Sequence, residues 1–305
     1  MSRIPVRRVV AACAAALALA TGSAAVASTG STSGPVGGVG LQPAHPSSAT
    51  PGYFRLTVRP GHRVYDSVAV TNTSAHPVSL VIYPVDALTG ATTGTVFSLH
   101  GRRLRQAGRW VREPTHSLRM VAKSTVDVGF SYKVPAHTRP GDYMAGIAFQ
   151  NRNATKSKKP KHGKPIAVKQ LIRTVIAVEM IVPGPAVFLP RLTSLTIRGI
   201  GATGMGAIYV GLGNRGSRIG TPILTVSLSG PRHYRGHASR QLNTVLPGAL
   251  IAYPFNWRHR LARGHYRITA TLRAGGRKVV LHRRFFLRHA LGAAVARKML
   301  IRARY

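Results

Sequence analysis

Acidic residues are nearly absent from this chain. It has 305 residues and holds Asp66, Asp86, Glu113, Asp127, Asp142 and Glu179 against 44 Lys and Arg, a formal net charge of +38. Nothing from 180 to 305 is acidic, and residues 190–289 alone carry 17 Lys and Arg. Glycoside hydrolysis needs two placed carboxylates, and the six present look like ordinary strand and turn residues. No G-x-S-x-G elbow presents a serine nucleophile, and no H-E-x-x-H presents a zinc pair. The 13 His are scattered; His233 and His237 are four apart, but SGPRHYRGHAS reads as loop. The one cysteine, Cys13, lies near the N-terminus, which excludes a disulfide framework and a Cys-ligated metal. The chain is therefore read as non-catalytic, with neither cofactor nor metal.

Long apolar runs are missing too. After the first 30 residues no stretch reaches the roughly 18 to 20 apolar residues of a membrane span. The nearest, IAVKQLIRTVIAVEMIV (166–182), is interrupted by Lys169, Arg173 and Glu179. The first residues have targeting character instead. Arg3, Arg7 and Arg8 precede the short apolar core VVAACAAALALA, and Ala25-Val26-Ala27 gives the small-residue cleavage pattern. This reads as a secretory signal peptide, residues 1–27. An uncleaved anchor is the alternative; a lipoprotein site at Cys13 follows Arg8 too closely.

What is present is punctuation and alternation. Residues 28–51 are rich in Ser, Gly and Pro and read as a flexible leader. From Tyr53 onward short alternating segments are broken by Gly, Pro and Asn, the pattern of an all-β sandwich. In STVDVGFSYKVP, Val126, Val128, Phe130, Tyr132 and Val134 share one face. After Pro183-Gly184-Pro185 the pattern restarts. Asn214-Arg215-Gly216 repeats the turn at Asn72-Thr73-Ser74, and Gly264-His265-Tyr266 repeats Gly141-Asp142-Tyr143. The chain thus reads as all-β, with two tandem immunoglobulin-like β-sandwich domains at 52–189 and 190–289. Tyr143 and Tyr266 are read as corner tyrosines whose hydroxyls bond back to the chain, with Ala145 and Ile268 pointing inward. Gly199-Ile200-Gly201-Ala202-Thr203-Gly204 matches a dinucleotide fingerprint, but a β-type run follows it and no acid lies downstream. It reads as a hairpin turn.

The densest positive run is KSKKPKHGK, with Lys156, Lys158, Lys159, Lys161 and Lys164. Between two strands, it reads either as a solvated hairpin tip or as a phosphate-grasping loop. It lacks the interleaved aromatics of a nucleic-acid module, and export argues against nucleic acid as well. The tail 290–305 (ALGAAVARKMLIRARY) places Leu291, Val295, Met299 and Ile301 loosely on one helical face among basic residues. It is suited to peripheral contact with an anionic membrane.

Several of these segments together resemble a known family. VTNTSAHPVSLVIYPVDALTG, GRWV, VAKSTVDVGFSYKVPAHTRPGDYMAGI and VKQLIRTVIAVEMIVPGP resemble the peptidoglycan-binding domain of WxL-interacting proteins, in an actinobacterial form, over 52–189. Residues 190–289 resemble the second immunoglobulin-like domain that accompanies it, through LGNRG, VLPG and W-x-x-x-L-x-x-G-x-Y. The resemblance implies a secreted, non-catalytic cell-surface protein contacting peptidoglycan and other surface proteins. It departs from the family in lacking a membrane span before the basic tail. The residues add the charge, and so anionic wall polymers as partners. The alternatives are an adaptor docking another exported protein by β-strand addition, and a membrane-surface protein acting through its tail.

Overall fold

The computed structural model describes residues 38–152, 155–156, 169–200, 205–257 and 259–291. The signal peptide, most of the lysine run and residues 292–305 of the tail lie outside them.

The first sandwich begins earlier than its composition suggests. Residues 39–43, inside the segment read as a flexible leader, form strand β1 (Val39–Pro43), paired antiparallel with β3 (Arg63–Asn72) from Val39 opposite Asn72 to Pro43 opposite Val68. The Gly and Pro around VGLQP hide it; Val39, 5% exposed, anchors it in the core. β3 pairs in turn with β8 (Thr125–Lys133), and β8 with the short β6 (Val111–Arg112). The facing sheet runs from β2 (Phe54–Thr57) through β12 (Arg173–Val182), β9 (Gly141–Asn151) and β4 (Val78–Thr89) to β5 (Thr95–Phe97), and β7 (Ser117–Met120) also pairs β4. Alternation along β8 behaves as the sequence implies. Val128, Phe130, Tyr132 and Val134 are buried between the sheets while Asp127 and Lys133 face water, although Val126 is left 37% exposed. Within the apolar run 166–182 lie two strands, β11 (Lys169–Gln170) and β12, and β11 pairs β10 (Thr155–Lys156).

The second sandwich repeats this plan. β13 (Pro190–Ile200), β14 (Met205–Asn214) and β17 (Leu250–Trp257) correspond in pairing to β1, β3 and β8. β13 and β14 form a hairpin with Ile200 opposite Met205, so the glycine-rich stretch joins two antiparallel strands. The other sheet has the order β16 (Arg235–Gln241), β15 (Ile223–Ser229), β18 (Gly264–Ala274) and β19 (Arg277–Leu287). β16 lies in the segment read as loop. Its sequence RGHASRQ has no strongly apolar residue; only the small Gly236 and Ala238 turn inward, Ala238 against the core, so the strand shows little apolar alternation. Two further residues extend the second unit: Phe188 is buried in its core, and Leu291, the second residue of the segment read as tail, bridges Leu261.

Two devices recur in both units. Asn72 and Asn214 are almost wholly buried, each accepting at Oδ1 from the N–H two residues on (Ser74, 3.1 Å; Gly216, 2.9 Å). Each also donates from Nδ2 to the carbonyl four residues on (His76, 2.9 Å; Arg218, 2.8 Å). The second device is the G-x-Y corner. Tyr143 donates its hydroxyl to Arg139 O at 2.9 Å and Tyr266 to Ala262 O at 3.0 Å. Gly141 and Gly264 have φ of 155° and 143°, and an added Cβ would lie 2.6 Å from Ser217 O and 2.3 Å from Pro231 Cγ. Only glycine fits both constraints.

Candidate functional site

The six acids are the natural starting point, and four of them are turned away from water. Asp86 is 5% exposed, and its carboxylate accepts from the N–H groups of Arg105 (2.6 Å), Gln106 (3.1 Å to each oxygen) and Gly108 (2.9 Å). This holds the loop that leads into the 3-10 turn Ala107–Trp110. Glu179 is 7% exposed beside Arg55 at 3.5 Å; burial pushes its carboxyl above the ordinary glutamate range, Arg55 opposes that, and Asp142 adds to it. Glu113 keeps only 8% of its side chain exposed, 3.5 Å from His116, and burial raises its pKa as well. Asp66 is half-buried and accepts from Ser67 N–H at 2.8 Å. Only Asp127 stands exposed. Asp86 is held by three backbone N–H groups, whereas Asp142 accepts from one, at Oδ2, and its buried Oδ1 has no partner among the described residues.

Asp142 ties the two sandwiches together. Its N–H donates to Ser217 O at 2.8 Å and its Oδ2 accepts from Ile219 N–H at 2.9 Å, both in the second unit. A separate strip joins Thr93 Oγ1 to Asn243 N–H (2.9 Å), Gly94 N–H to Thr244 O (2.9 Å) and Thr89 Oγ1 to Leu246 N–H (3.0 Å). This explains why the repeated G-x-Y differs at its centre: Asp142 sits on the seam, whereas His265 is exposed against Phe286. Trp110 and Tyr143 stack at 4.7 Å and line a cleft at this seam with Leu246 and Pro247.

Of the lysine run, Lys156 is in β10, while Lys158, Lys159, Lys161 and Lys164 lie outside the described residues. A different cationic surface is fully described. The sheet β16-β15-β18-β19 buries Leu224, Val226, Leu228, Ile268, Ala270 and Leu272 on one face, so its other face is open. Register sets that open face in rows. Arg235, Ser229, Arg267 and Arg284 are cross-strand neighbours in order, then His237, Ser227, Thr269 and His282; further along the strands, Arg273 is opposite Lys278. The cations are all exposed, and Thr269 Oγ1 lies 2.9 Å from His282 Nδ1. Sequence reading did not find this surface, because its residues come from four strands and meet only through register.

Among the described residues there is no group of three or more His, Cys, Asp or Glu placed to hold a metal, and no helix long and apolar enough to cross a membrane.

No family model and no curated protein matches the chain. Solved structures do. The Acinetobacter baumannii CsuC–CsuE chaperone–tip adhesion subunit complex is matched at 12% identity and TM-score 0.36, covering 76% of this chain and 95% of that one. The Pseudomonas aeruginosa CupB2 chaperone is matched at 11% identity and TM-score 0.32, covering 75% and 96%. The E. coli chaperone DraB is matched at 9% and 0.31, covering 82% and 98%. At such values the likeness adds nothing to what the strands themselves show, two immunoglobulin-like β-sandwiches in tandem.

Proposed function

We propose that this is an exported, non-catalytic binding protein of the cell envelope whose ligand is an anionic polymer of the wall. One observation carries the reading: the few acids are spent inside the fold, so the surface cations have almost no neighbouring carboxylate to neutralise them. Such a surface concentrates polyanions. The resemblance of residues 52–189 to a peptidoglycan-binding domain supports the wall as the setting, and the apolar, Arg-headed N-terminus supports export. The test is co-sedimentation of the protein with purified sacculi, with and without their anionic polymers, over a salt series. Binding lost on removing the polymers or on adding salt is the expected result. Binding that survives both would move the reading to glycan or peptide recognition.

A second reading, an adaptor that docks another exported protein by strand addition, has a specific observation behind it. Among the described strands β17 pairs only with β14, leaving one edge of its 8 residues free, with Leu250 55% exposed at its start. Backbone hydrogen bonds would supply the affinity in that mode, so it predicts capture of a protein partner that salt barely weakens.

A further inference from the structure

Resting on the polyanion reading, we infer that the open face of β16-β15-β18-β19 is the polymer site, and that the polymer it takes is linked through phosphodiesters. Register is the first support. Arg267 stands directly opposite Arg284, and Arg273 directly opposite Lys278, on adjacent antiparallel strands. Directly opposed like charges destabilise a sheet, and no acid lies in this half of the chain to offset them. The fold carries that repulsion twice on one face. An anion seated between the paired cations turns each repulsion into two attractions.

The donors then select the anion. Guanidinium forks match phosphate oxygens in pairs, which an ammonium does not. Arg235, Arg267 and Arg284 share one row with the Ser229 hydroxyl between them, and the next row offers Ser227, Thr269 and two imidazoles. A carboxylate and a phosphodiester each offer two charged oxygens to a fork; the tetrahedral phosphodiester adds two ester oxygens out of that plane, within reach of donors in the adjoining row. Strands about 4.8 Å apart put the Arg235–Arg284 row over about 14 Å, long enough for several consecutive charges of a flexible chain. Nucleic acid would need stacking rings as well as charge; the face carries only Phe286, at its corner against His265 at 4.7 Å, and the imidazoles of His237 and His282, with no Tyr or Trp in the rows.

The test titrates the full-length protein with inorganic polyphosphate, whose internal units present the same pair of charged oxygens as a phosphodiester, and with polyglutamate of matched charge, over salt. Each neutralised phosphate of a flexible chain contributes a slope of about 0.7 in log affinity against log salt, so five cations lose about 130-fold between roughly 50 and 200 mM salt, and two lose about 7-fold. The wild type is expected to show the steep loss and to prefer polyphosphate. Arg235→Ala/Arg267→Ala/Arg284→Ala is expected to show the shallow one, with an unchanged or raised melting temperature. The corresponding triple Lys variant keeps the slope and loses the preference. A triple Ala variant with the wild-type slope overturns this site and leaves the polyanion reading standing, with the lysine run as its carrier. Equal affinity for both polymers overturns the phosphodiester class, and binding to neither polymer nor to sacculi overturns the reading on which the inference rests.

Discussion

Replacing Asp86 with Ala tests the idea that the acids are retained for structure. The carboxylate holds three backbone N–H groups, and Gly108, one of the donors, is itself buried. A hydrogen bond to a charged group contributes about 1.5–3 kcal/mol, and the upper end applies where the donor has no water to fall back on. Assigning about 2–3 kcal/mol to Gly108 and about 1 kcal/mol to each of Arg105 and Gln106, which water can reach, gives a loss of about 4–5 kcal/mol. Asp86→Asn keeps one acceptor but aims an NH2 at an N–H, and about half that loss is expected. The chain has two tryptophans, Trp110 beside this loop and Trp257 in the second core. Urea unfolding followed by fluorescence in a Trp257→Phe background therefore reports the first sandwich alone. A loss under about 1 kcal/mol for the Ala variant, less than a single charged hydrogen bond is worth, would refute the reasoning.

The same assay separates two tyrosines of the first sandwich. Tyr143→Phe removes the corner hydrogen bond to Arg139 O and should lower stability by about 1 kcal/mol, whereas Tyr132→Phe should be neutral or stabilising. Tyr132 is wholly buried, its hydroxyl has no partner among the described residues, and burial raises its pKa well above the ordinary tyrosine value. Glu179 gives a pH test. Its raised pKa means the folded state holds the proton longer than the unfolded chain does. Stability from this group is full below the ordinary glutamate value of about 4.3 and is lost as pH rises through the raised folded value. Glu179→Gln should remove that dependence, so its advantage over the wild type grows with pH across this window. A difference that shrinks would contradict the burial argument.

How much of this was legible in the sequence depends on how far apart the partners lie. β8 could be read because its alternation is local. The corner tyrosines could be read because the turn, the glycine and the hydroxyl acceptor fall within five residues. β1 was hidden because a strand of five residues among Gly and Pro is recognisable only by pairing with β3. β16 was hidden because nothing on it is strongly apolar. The role of Asp86 depends on N–H groups about 20 residues away, and that of Asp142 on a loop 75 residues on. The arginine rows come from β16, β18 and β19, and a one-residue slip in any of these registers would scatter them. Spacing along the chain does not encode such sites.

With Asp127 as its one exposed acid, the molecule is effectively an object of a single sign. Two copies approaching one another meet repulsion from nearly every direction, and neither can offer the other a counter-charge. Charge alone keeps copies apart, and an anion lying between them removes that barrier. On the proposed wall ligand the spacing of the molecules would follow the density of fixed anions, and self-association in solution would report contaminating polyanion.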